Sequence, residues 1–265
     1  TTLTPEEQTL ILKISVLPRP VSNKVICALG ESQNTMQMLQ SLVRKSLVMY
    51  DQKLKVYRLH DLVRDFHHLQ LTEQQRKDYY LKAAAYYESL AYNKDKPTFE
   101  QVQQRLEARY HYFQAGEYDK ATQLLLDVAE QYRTWGYLQQ CKTFFEETLD
   151  TLERLNPNDE RRLLKVDLLV ELSWIERSSE GFDKAINRCE EAENILKTIK
   201  DKKRTGNLYH AKGNFFYYKG FFEESNTYLI RSFEIKKQEG DTKGLLKVLN
   251  ELNQLYWGLE ELQKI

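Results

Sequence analysis

Residues 57–66 read Tyr57-Arg58-Leu59-His60-Asp61-Leu62-Val63-Arg64-Asp65-Phe66, and the chain changes character on either side of them. Apolar side chains recur here three or four positions apart, which predicts a helix: Leu59, Leu62, Val63, Phe66 and Leu69. His60 and Asp61 fall at its start, where backbone N–H groups lack helical partners and anions are favoured. The segment therefore predicts a buried helix that begins with a titratable pair.

The composition favours long helices and argues against general nucleic-acid binding. The 265 residues include 39 Lys or Arg and 39 Asp or Glu, so the net charge is zero with His neutral. Five Pro and ten Gly leave few breaks for short strands and turns. The length fits two domains or one elongated array, and a neutral chain has no general attraction for nucleic acid.

The three cysteines, Cys27, Cys141 and Cys189, are far apart and lack the spacing of a zinc site or a disulfide framework. They favour reduced thiols in a cytoplasmic protein. No segment approaches the ~18 consecutive apolar residues of a membrane span, and no signal peptide is visible. Because the chain starts at Thr1 without Met, we expect a piece of a longer protein.

No residue pattern predicts a metal site or a catalytic centre. His60, His67 and His68 come nearest, but no carboxylate joins them at the spacing of metal ligands. In the second part of the chain Asp and Glu alternate with Lys and Arg, as on a solvated helix face. We therefore expect neither a metal nor an enzyme active site within these residues.

Residues 1–72 predict a winged-helix domain. Thr4 and Pro5 form a typical helix start, and Ser22 is expected to cap a second helix that Gly30 closes. A third helix is predicted from about residue 34 to residue 45. The β-branched and aromatic residues of segments 47–50 and 55–59 predict a hairpin, which the helix after Leu59 follows.

Many winged helices bind DNA, so the charge of this domain matters. Residues 1–71 contain nine Lys or Arg and six Asp or Glu, a net charge of +3. A recognition helix presents several basic or amide side chains to bases and phosphates. The third helix offers six polar side chains for this purpose, of which only two are charged: Gln33, Asn34, Gln37, Gln40, Arg44 and Lys45. Binding to DNA is therefore an alternative that we do not favour.

Residues 73–265 predict a helical repeat domain. Turn signals recur about every 20 residues, which gives helix–turn–helix units of ~40 residues and predicts an α-solenoid. They fall at Gly116, Gly136, Asn156-Pro157, Glu180-Gly181, Lys200-Asp201, Gly220 and Gly240-Asp241. Several of these turns combine a Gly, an aromatic residue and a small residue, as expected where helices cross closely.

These units resemble tetratricopeptide repeats. In residues 208–232 the order of the repeat is met by Tyr209, Gly213, Phe216, Gly220, Phe222 and Ser225. Ser225 and Ser232 depart from it, since Ala is preferred at both positions. We expect about ten helices in five pairs, the last one truncated. The predicted fold is thus dominated by α-helices: a winged helix (three helices, a small β-hairpin and a closing helix) followed by a right-handed α-solenoid.

The opening domain resembles the winged helix of the NB-ARC module in STAND-class signalling ATPases, which include plant NLR immune receptors, the apoptosome scaffold and MalT-like regulators. The resemblance is carried by Ile14-Ser15-Val16-Leu17-Pro18, by Met38-Leu39-Gln40-Ser41-Leu42-Val43-Arg44-Lys45-Ser46-Leu47-Val48, and by residues 57–66. In that family a Met-His-Asp triplet opens the last segment of the domain. Leu59 replaces the Met here.

The resemblance implies that His60 contacts the β-phosphate of ADP, with Asp61 as its orienting partner and helix cap. The 265 residues contain no G-x-x-x-x-G-K-[ST] loop and no strand that ends in a Walker-B acid pair. We therefore expect no enzyme within this fragment, and an upstream domain that binds ADP or ATP with Mg²⁺. The fragment would be the regulatory and sensor half of a signal-transduction ATPase that oligomerises on activation.

The first helix of each repeat pair is expected to line a concave face that binds a protein, peptide or small-molecule effector. Alignment of the repeats places eleven residues there: Asp167, Trp174, Arg177, Asn207, His210, Asn214, Tyr217, Lys247, Asn250, Gln254 and Trp257. Trp174 and Tyr217 could instead pack between repeats. Two other functions remain open at this point: a DNA-binding regulator with a peptide-binding repeat domain, and a non-catalytic scaffold.

Overall fold

The computed structural model of the chain describes residues 2–179 and 181–262. These residues form thirteen α-helices and one two-stranded sheet. The chain divides into two units, residues 1–124 and residues 125–265. Glu180 of one predicted turn, and the end of the chain from residue 263 onward, lie outside the described residues.

The first unit begins with the elements of a winged helix in the predicted order. They are α1 (Pro5–Ile14), α2 (Asn23–Gly30), α3 (Thr35–Arg44), β1 (Val48–Asp51), β2 (Val56–Leu59) and α4 (Asp61–Leu69). Thr4 caps α1 in a capping box with Glu7, a reciprocal pair of bonds that satisfies free backbone N–H groups. The predicted winged helix is confirmed.

The hairpin pairs Val48 with Leu59 and Asp51 with Val56 in antiparallel register. The carboxylate of Asp51 accepts hydrogen bonds from the backbone N–H groups of Lys53 and Leu54, at 2.8 and 2.9 Å. This local turn reverses the chain without help from a glycine. Leu59 at the end of β2 is buried. This anchors the chain in the core two residues before α4 begins at Asp61.

The core of the winged helix is formed by the inward faces of α1, α2 and α3, with Ile11, Leu29 and Leu39 fully buried. At the edge of this core, Glu7 Oε2 accepts a hydrogen bond of 2.6 Å from Lys45 Nζ. Lys45 and Ser41 hold the pKa of this buried carboxyl at about 2.

Two details of this domain differ from the predictions. Gly30 does not supply the turn that ends α2, because Glu31 adopts the left-handed conformation there (φ 59°). Gly30 lies instead against Thr35, where an added Cβ would approach Oγ1 to 2.4 Å. Ser22 occupies the N-cap position of α2, but its side chain makes no capping bond.

The first unit continues with α5 (Glu73–Ser89) and α6 (Phe99–Gln114). Helix α5 packs on α2, and Lys82 of α5 pairs with Glu31 at 2.6 Å. The predicted domain boundary after residue 72 coincides with the start of α5. However, α5 packs on the winged helix, and the first compact unit continues to residue 124. The domain boundary after residue 72 therefore stays a prediction.

His111 is completely buried between aromatic rings of this first unit. Its ring stacks on Tyr87, with centroids 5.8 Å apart and planes at 9°, and lies 5.8 Å from the ring of Tyr80. Neither ring nitrogen has a hydrogen-bond partner among the described residues. Burial lowers the pKa of His111 to about 3, with a smaller effect from Arg19, so the ring is neutral at pH 7.

The remaining helices are α7 (Tyr118–Thr134), α8 (Leu138–Arg154), α9 (Asp159–Ser179), α10 (Phe182–Thr198), α11 (Lys202–Tyr218), α12 (Phe222–Glu239) and α13 (Thr242–Leu262). In the second unit α9 packs mainly on α10, and α11 packs mainly on α12. The repeat organisation is confirmed. The described residues after α4 contain nine helices, α5–α13, close to the expected ten, and their grouping into five pairs stays a prediction.

The predicted glycine turns all use the left-handed backbone region. Gly116, Gly136, Gly181, Gly220 and Gly240 have φ values between 69° and 102°. A side chain is disfavoured there by its clash with the following carbonyl. The helices after them begin one or two residues further on, so these turns are short and the spacing of the turn signals follows the length of the helices.

Helices α11 and α12 approach each other closely at two glycines. A Cβ added to Gly213 would lie 2.7 Å from the side chain of Leu229, and one added to Gly206 would lie 2.9 Å from Ile235. The buried hydroxyls of Ser225 and Ser232 donate to the carbonyls of Gly213 and Gly206, at 2.8 and 2.7 Å. This explains why Ser is accommodated where the repeat prefers Ala.

We expect Gly220→Ala and Gly258→Ala to change stability in opposite directions. Gly220 has φ +82°, so Ala there should lower the free energy of unfolding by about 1–2 kcal/mol. Gly258 lies within α13, where a Cβ would make only an ordinary contact of 3.7 Å with the Tyr217 hydroxyl. Ala there should raise the free energy of unfolding by up to about 1 kcal/mol. Urea denaturation of both variants measures the difference; equal effects would contradict it.

His111→Phe should stabilise the chain and reduce its sensitivity to acid. At pH 7 the substitution removes a buried unpaired N–H group, worth about 1–3 kcal/mol. The unfolded ring binds a proton near pH 6.5 and the folded ring near pH 3, so wild-type stability falls as the pH drops from 6.5 towards 3. Between these two pH values, the free energy of unfolding of the wild type should depend on pH more steeply than that of the variant, by up to about 1.4 kcal/mol per pH unit. Thermal unfolding at pH 7.5 and pH 5 tests this, and an unchanged pH slope would refute it.

Candidate ligand groove and the start of helix α4

His60 lies at the N-cap of α4, directly after the buried Leu59. Its side chain makes no capping hydrogen bond and is exposed. Its backbone carbonyl accepts the N–H of Arg64 at 2.9 Å. The imidazole is therefore presented to solvent next to the first N–H groups of the helix, an arrangement that can receive an anionic group.

Asp61 is the first residue of α4 and not its cap, so the predicted capping role is wrong. Its carboxylate accepts a bond of 3.3 Å from Arg64 Nη1. Arg64 also donates to Asp65 at 2.9 Å. The carboxylate is thus turned along the helix surface towards Arg64.

The outer face of α4 is apolar and exposed, which corrects the prediction of a buried helix. Leu62, Phe66 and Leu69 are 76%, 61% and 80% exposed. Helix α1 packs on α4, yet none of the described residues of α4 is fully buried. The periodicity identified the helix but could not tell whether this chain covers its apolar stripe. A contiguous exposed apolar patch is typical of an interaction surface.

The predicted DNA-reading face of α3 is poor in available charge. Lys45 is drawn away from solvent by its bond with Glu7, which leaves Arg44 as the exposed cation of the predicted set. With one such cation, α3 has few groups with which to neutralise phosphates.

A groove of about 880 Å³ lies within the second unit. It is lined by α7, α9, α11 and α13, with contributions from Lys236 and Asp241. Sites for small molecules and peptide side chains fall in this range of volume.

Nine of the eleven residues predicted for the concave face line this groove: Asp167, Trp174, Arg177, Asn207, His210, Asn214, Lys247, Asn250 and Gln254. Tyr217 does not; it packs near Phe222 and the Leu229 cluster, and Tyr218 lines the groove in its place. Trp257 is 69% exposed outside the groove. A role in ligand binding stays a prediction for all of them.

A chain of polar contacts crosses the groove floor from α9 to α13. Arg177 Nη1 donates to Asn214 Oδ1 at 2.8 Å, and Asn214 Nδ2 donates to Glu251 Oε1 at 2.8 Å. His210 Nε2 lies 3.2 Å from the same Glu251 oxygen. Both ends of the Asn214 amide are thus used within the protein, so Asn214 is a structural link between three helices.

Other predicted groove residues are also held by partners in the protein. Arg204 pairs with Asp167 at 2.7 Å. Lys236 donates to Asn207 at 2.6 Å and pairs with Asp241 at 3.1 Å. Lys247 of α13 pairs with Glu130 of α7. The exposed amides of Asn250 and Gln254 remain on α13 to meet a ligand.

Trp174 lies at the centre of the groove and also packs between helices. Its ring meets Phe215 edge-on at 5.0 Å and His210 at 5.6 Å. The guanidinium groups of Arg133 and Arg177 lie 5.2 and 5.5 Å from its centroid, within the range of cation–π attraction. Trp174 therefore has both of the positions that the sequence left open: it packs between helices and it lines the groove.

Sequence reasoning missed two groove carboxylates, Glu171 and Glu251. The Oε2 atom of each is buried and has no hydrogen-bond partner in the described part of the chain. Burial raises the pKa of Glu171, and Arg133 opposes this only in part. No sequence signal distinguishes these acids from the many solvated ones, since desolvation depends on the packing of neighbouring helices.

The N-terminal part of the chain matches a known family. Residues 1–79 match the family model described as the MalT winged helix domain. The match confirms the predicted resemblance of the opening domain to the winged helix of MalT-like regulators, and helical repeats follow it. No curated protein matches the chain.

Eleven chains of solved structures are similar to this one. One is a Signal Transduction ATPase with Numerous Domains (STAND) protein with a tetratricopeptide repeat sensor from Pyrococcus horikoshii, at 17% identity and a TM-score of 0.43. The match covers 99% of this chain and 49% of that one, so this chain spans about half the length of the P. horikoshii protein. Another is BtubC (BKLC) from P. vanneervenii, at 14% identity and a TM-score of 0.36, covering 99% and 87%.

The described helices include none that is both long and apolar enough to cross a membrane. Within the same residues, no group of three or more His, Cys, Asp or Glu side chains is arranged to hold a metal ion.

We expect Asn214→Leu to destabilise the second unit by about 1–3 kcal/mol, because Glu251 and Arg177 each lose a hydrogen-bond partner in a partly buried place. A double-mutant cycle with Glu251→Met, which removes the acceptor oxygen, isolates the coupling between the two residues when it is read by urea denaturation. Asn250→Leu, at an exposed position of the same groove, is the matched control. Additive effects of Asn214→Leu and Glu251→Met would contradict the link.

Proposed function

We propose that this chain is the regulatory and sensor half of a signal-transduction ATPase. The observation that carries the proposal is the match of residues 1–79 to the MalT winged helix domain, followed by helical repeats that contain a groove. Fold alone does not determine function, so the proposal also assigns a role to each of the two candidate sites.

The groove of the repeats is the place for an effector, which is a protein, a peptide or a small molecule. Its volume and its mixed polar and aromatic lining support this role. The nine predicted residues that line the groove divide into those that build it, such as Asn214, and those that are exposed towards a ligand, such as Asn250.

The start of α4 is the place for nucleotide sensing. His60 is exposed beside the N–H groups of the helix, which fits one contact with a phosphate of ADP. The remaining contacts with ADP or ATP, and with Mg²⁺, would come from a nucleotide-binding domain upstream in the same protein. The exposed apolar face of α4, with Leu62, Phe66 and Leu69, offers that domain a surface on which to pack.

The two sites would work as a switch if the effector binds the ADP-bound and ATP-bound states with different affinity, since a ligand shifts an equilibrium only by that difference. The nucleotide-binding domain would then be a slow ATPase and the present residues non-catalytic. Oligomerisation on activation and a cytoplasmic location belong to the same proposal. The free thiols of Cys27, Cys141 and Cys189 suit a reducing compartment.

His60→Ala in the full-length protein should weaken ADP binding at least tenfold, because it removes the proposed contact with the β-phosphate. Isothermal titration calorimetry with ADP measures this directly. Gln52→Ala, at an exposed position in the hairpin turn, is the control and should bind ADP as the wild type does.

Circular dichroism and thermal unfolding must show that His60→Ala leaves the fold intact, as expected for an exposed side chain. Unchanged ADP affinity in a folded His60→Ala protein, or no ADP binding by the wild type, would overturn the nucleotide-sensing role. The winged helix would then be a scaffold element for the first repeats.

A further inference from the structure

We propose that the effector of this groove is a short peptide with basic side chains, and that Glu171 receives a guanidinium or ammonium group from it. This inference rests on the proposed sensor function and names the chemistry of its ligand. It also assigns a role to two residues, Glu171 and Glu251, that no sequence pattern singled out.

The first argument is the unpaired carboxylate oxygen of Glu171. Its Oε2 atom is buried, lines the groove and has no hydrogen-bond partner among the residues described. A buried acceptor without a donor costs free energy, and more so when it is charged. Such groups are rare in folded proteins, so each one requires an explanation. A donor on a bound ligand is the explanation that we propose here.

The charges around Glu171 do not supply that partner. Arg133 and Glu130 face it from α7, Asp167 from its own helix and Lys247 from α13. Arg133 lies over the ring of Trp174, Lys247 pairs with Glu130, and Asp167 pairs with Arg204. The net effect of burial and these charges is to raise the pKa of Glu171. The surrounding cations therefore leave the carboxylate undercompensated.

The second argument is Glu251, which offers another unpaired oxygen in the same groove. Its Oε1 atom accepts a hydrogen bond from Asn214 and lies 3.2 Å from His210 Nε2, whereas Oε2 is buried and unpaired within the described residues. Glu171 is on α9 and Glu251 is on α13, with α11 between them. A ligand that satisfies both must extend across the groove and carry a donor at each place, which favours two basic groups on one chain over a single small amine.

The third argument concerns the backbone of such a ligand. Asn250 and Gln254 lie one helical turn apart on α13, are exposed and line the groove. Each side-chain amide offers a donor and an acceptor, which is the pattern of a peptide group. Basic side chains on a peptide backbone thus match both the unpaired acids and the uncommitted amides.

The test uses a pentapeptide, acetyl-Gly-Arg-Gly-Arg-Gly-amide, and the same peptide with citrulline at both Arg positions. Citrulline has nearly the shape of Arg without its charge. A third probe carries Glu at both positions. Binding to the full 265-residue chain is measured by isothermal titration calorimetry at low ionic strength. We expect the Arg peptide to bind at least tenfold more tightly than either of the other two.

Glu171→Gln and Glu251→Gln should each weaken binding of the Arg peptide at least tenfold. Glu234→Gln, on the exposed side of α12, makes the same change of charge outside the groove and should bind as the wild type does. Glu171→Gln should unfold at the same or a higher temperature than the wild type, since it removes an uncompensated buried charge. Glu251→Gln provides a second readout if one variant folds poorly.

Three results would overturn the inference: no binding of the Arg peptide, equal binding of the citrulline peptide, or undiminished binding by both Gln variants. Tighter binding of the Glu peptide would also overturn it and would identify an acidic effector held by the groove arginines. None of these results involves the nucleotide. The sensor function fails separately, on the ADP titration of His60→Ala.

Discussion

The close approach of α11 to α12 is the constraint on which the groove depends. Gly206 and Gly213 allow the two helices to touch, and Ser232 and Ser225 fasten the contact by donating to the glycine carbonyls. Since successive residues of a helix are rotated by about 100°, fixing this face towards α12 turns Asn207, His210 and Asn214 towards the groove. A packing contact outside the site therefore aims the side chains within it.

The groove combines groups that build it with groups that are left unsatisfied. Asn214, Asp167 and Lys236 are occupied by partners on neighbouring helices. Glu171 and Glu251 each keep a buried oxygen that has no hydrogen-bond partner in the part of the chain that the structure describes. An apolar or neutral residue at these two places would be easier to accommodate. The presence of two acids at such places is what the proposal of a ligand in this groove rests on.

Most of the fold could be predicted because its signals are local. The N-cap of Thr4, the hairpin and the left-handed glycines each depend on a few neighbouring residues. The side of α4 that is covered could not be predicted, because Leu62 and Phe66 have helical periodicity whether or not another domain packs on them. The turn glycine of α2 was misassigned for a related reason: Gly30 is required by a contact with Thr35, which is a tertiary fact.

The candidate groove was predictable in position more than in chemistry. Alignment on a repeat of 40 residues selected nine residues that line the groove. The side chains that meet across the groove, however, are 37 positions apart in the sequence, as in Arg177 with Asn214 and Asn214 with Glu251. Such an offset is set by how far one repeat is shifted against the next.

The Lys247–Glu130 ion pair differs in exposure from the polar contacts on the groove floor. Its side chains are 44% and 54% exposed, so dissolved ions screen it readily, whereas the hydrogen bonds of Asn214 are sheltered and insensitive to them. The ion pair that joins α7 to α13 is therefore the contact of the groove that weakens first as ionic strength rises.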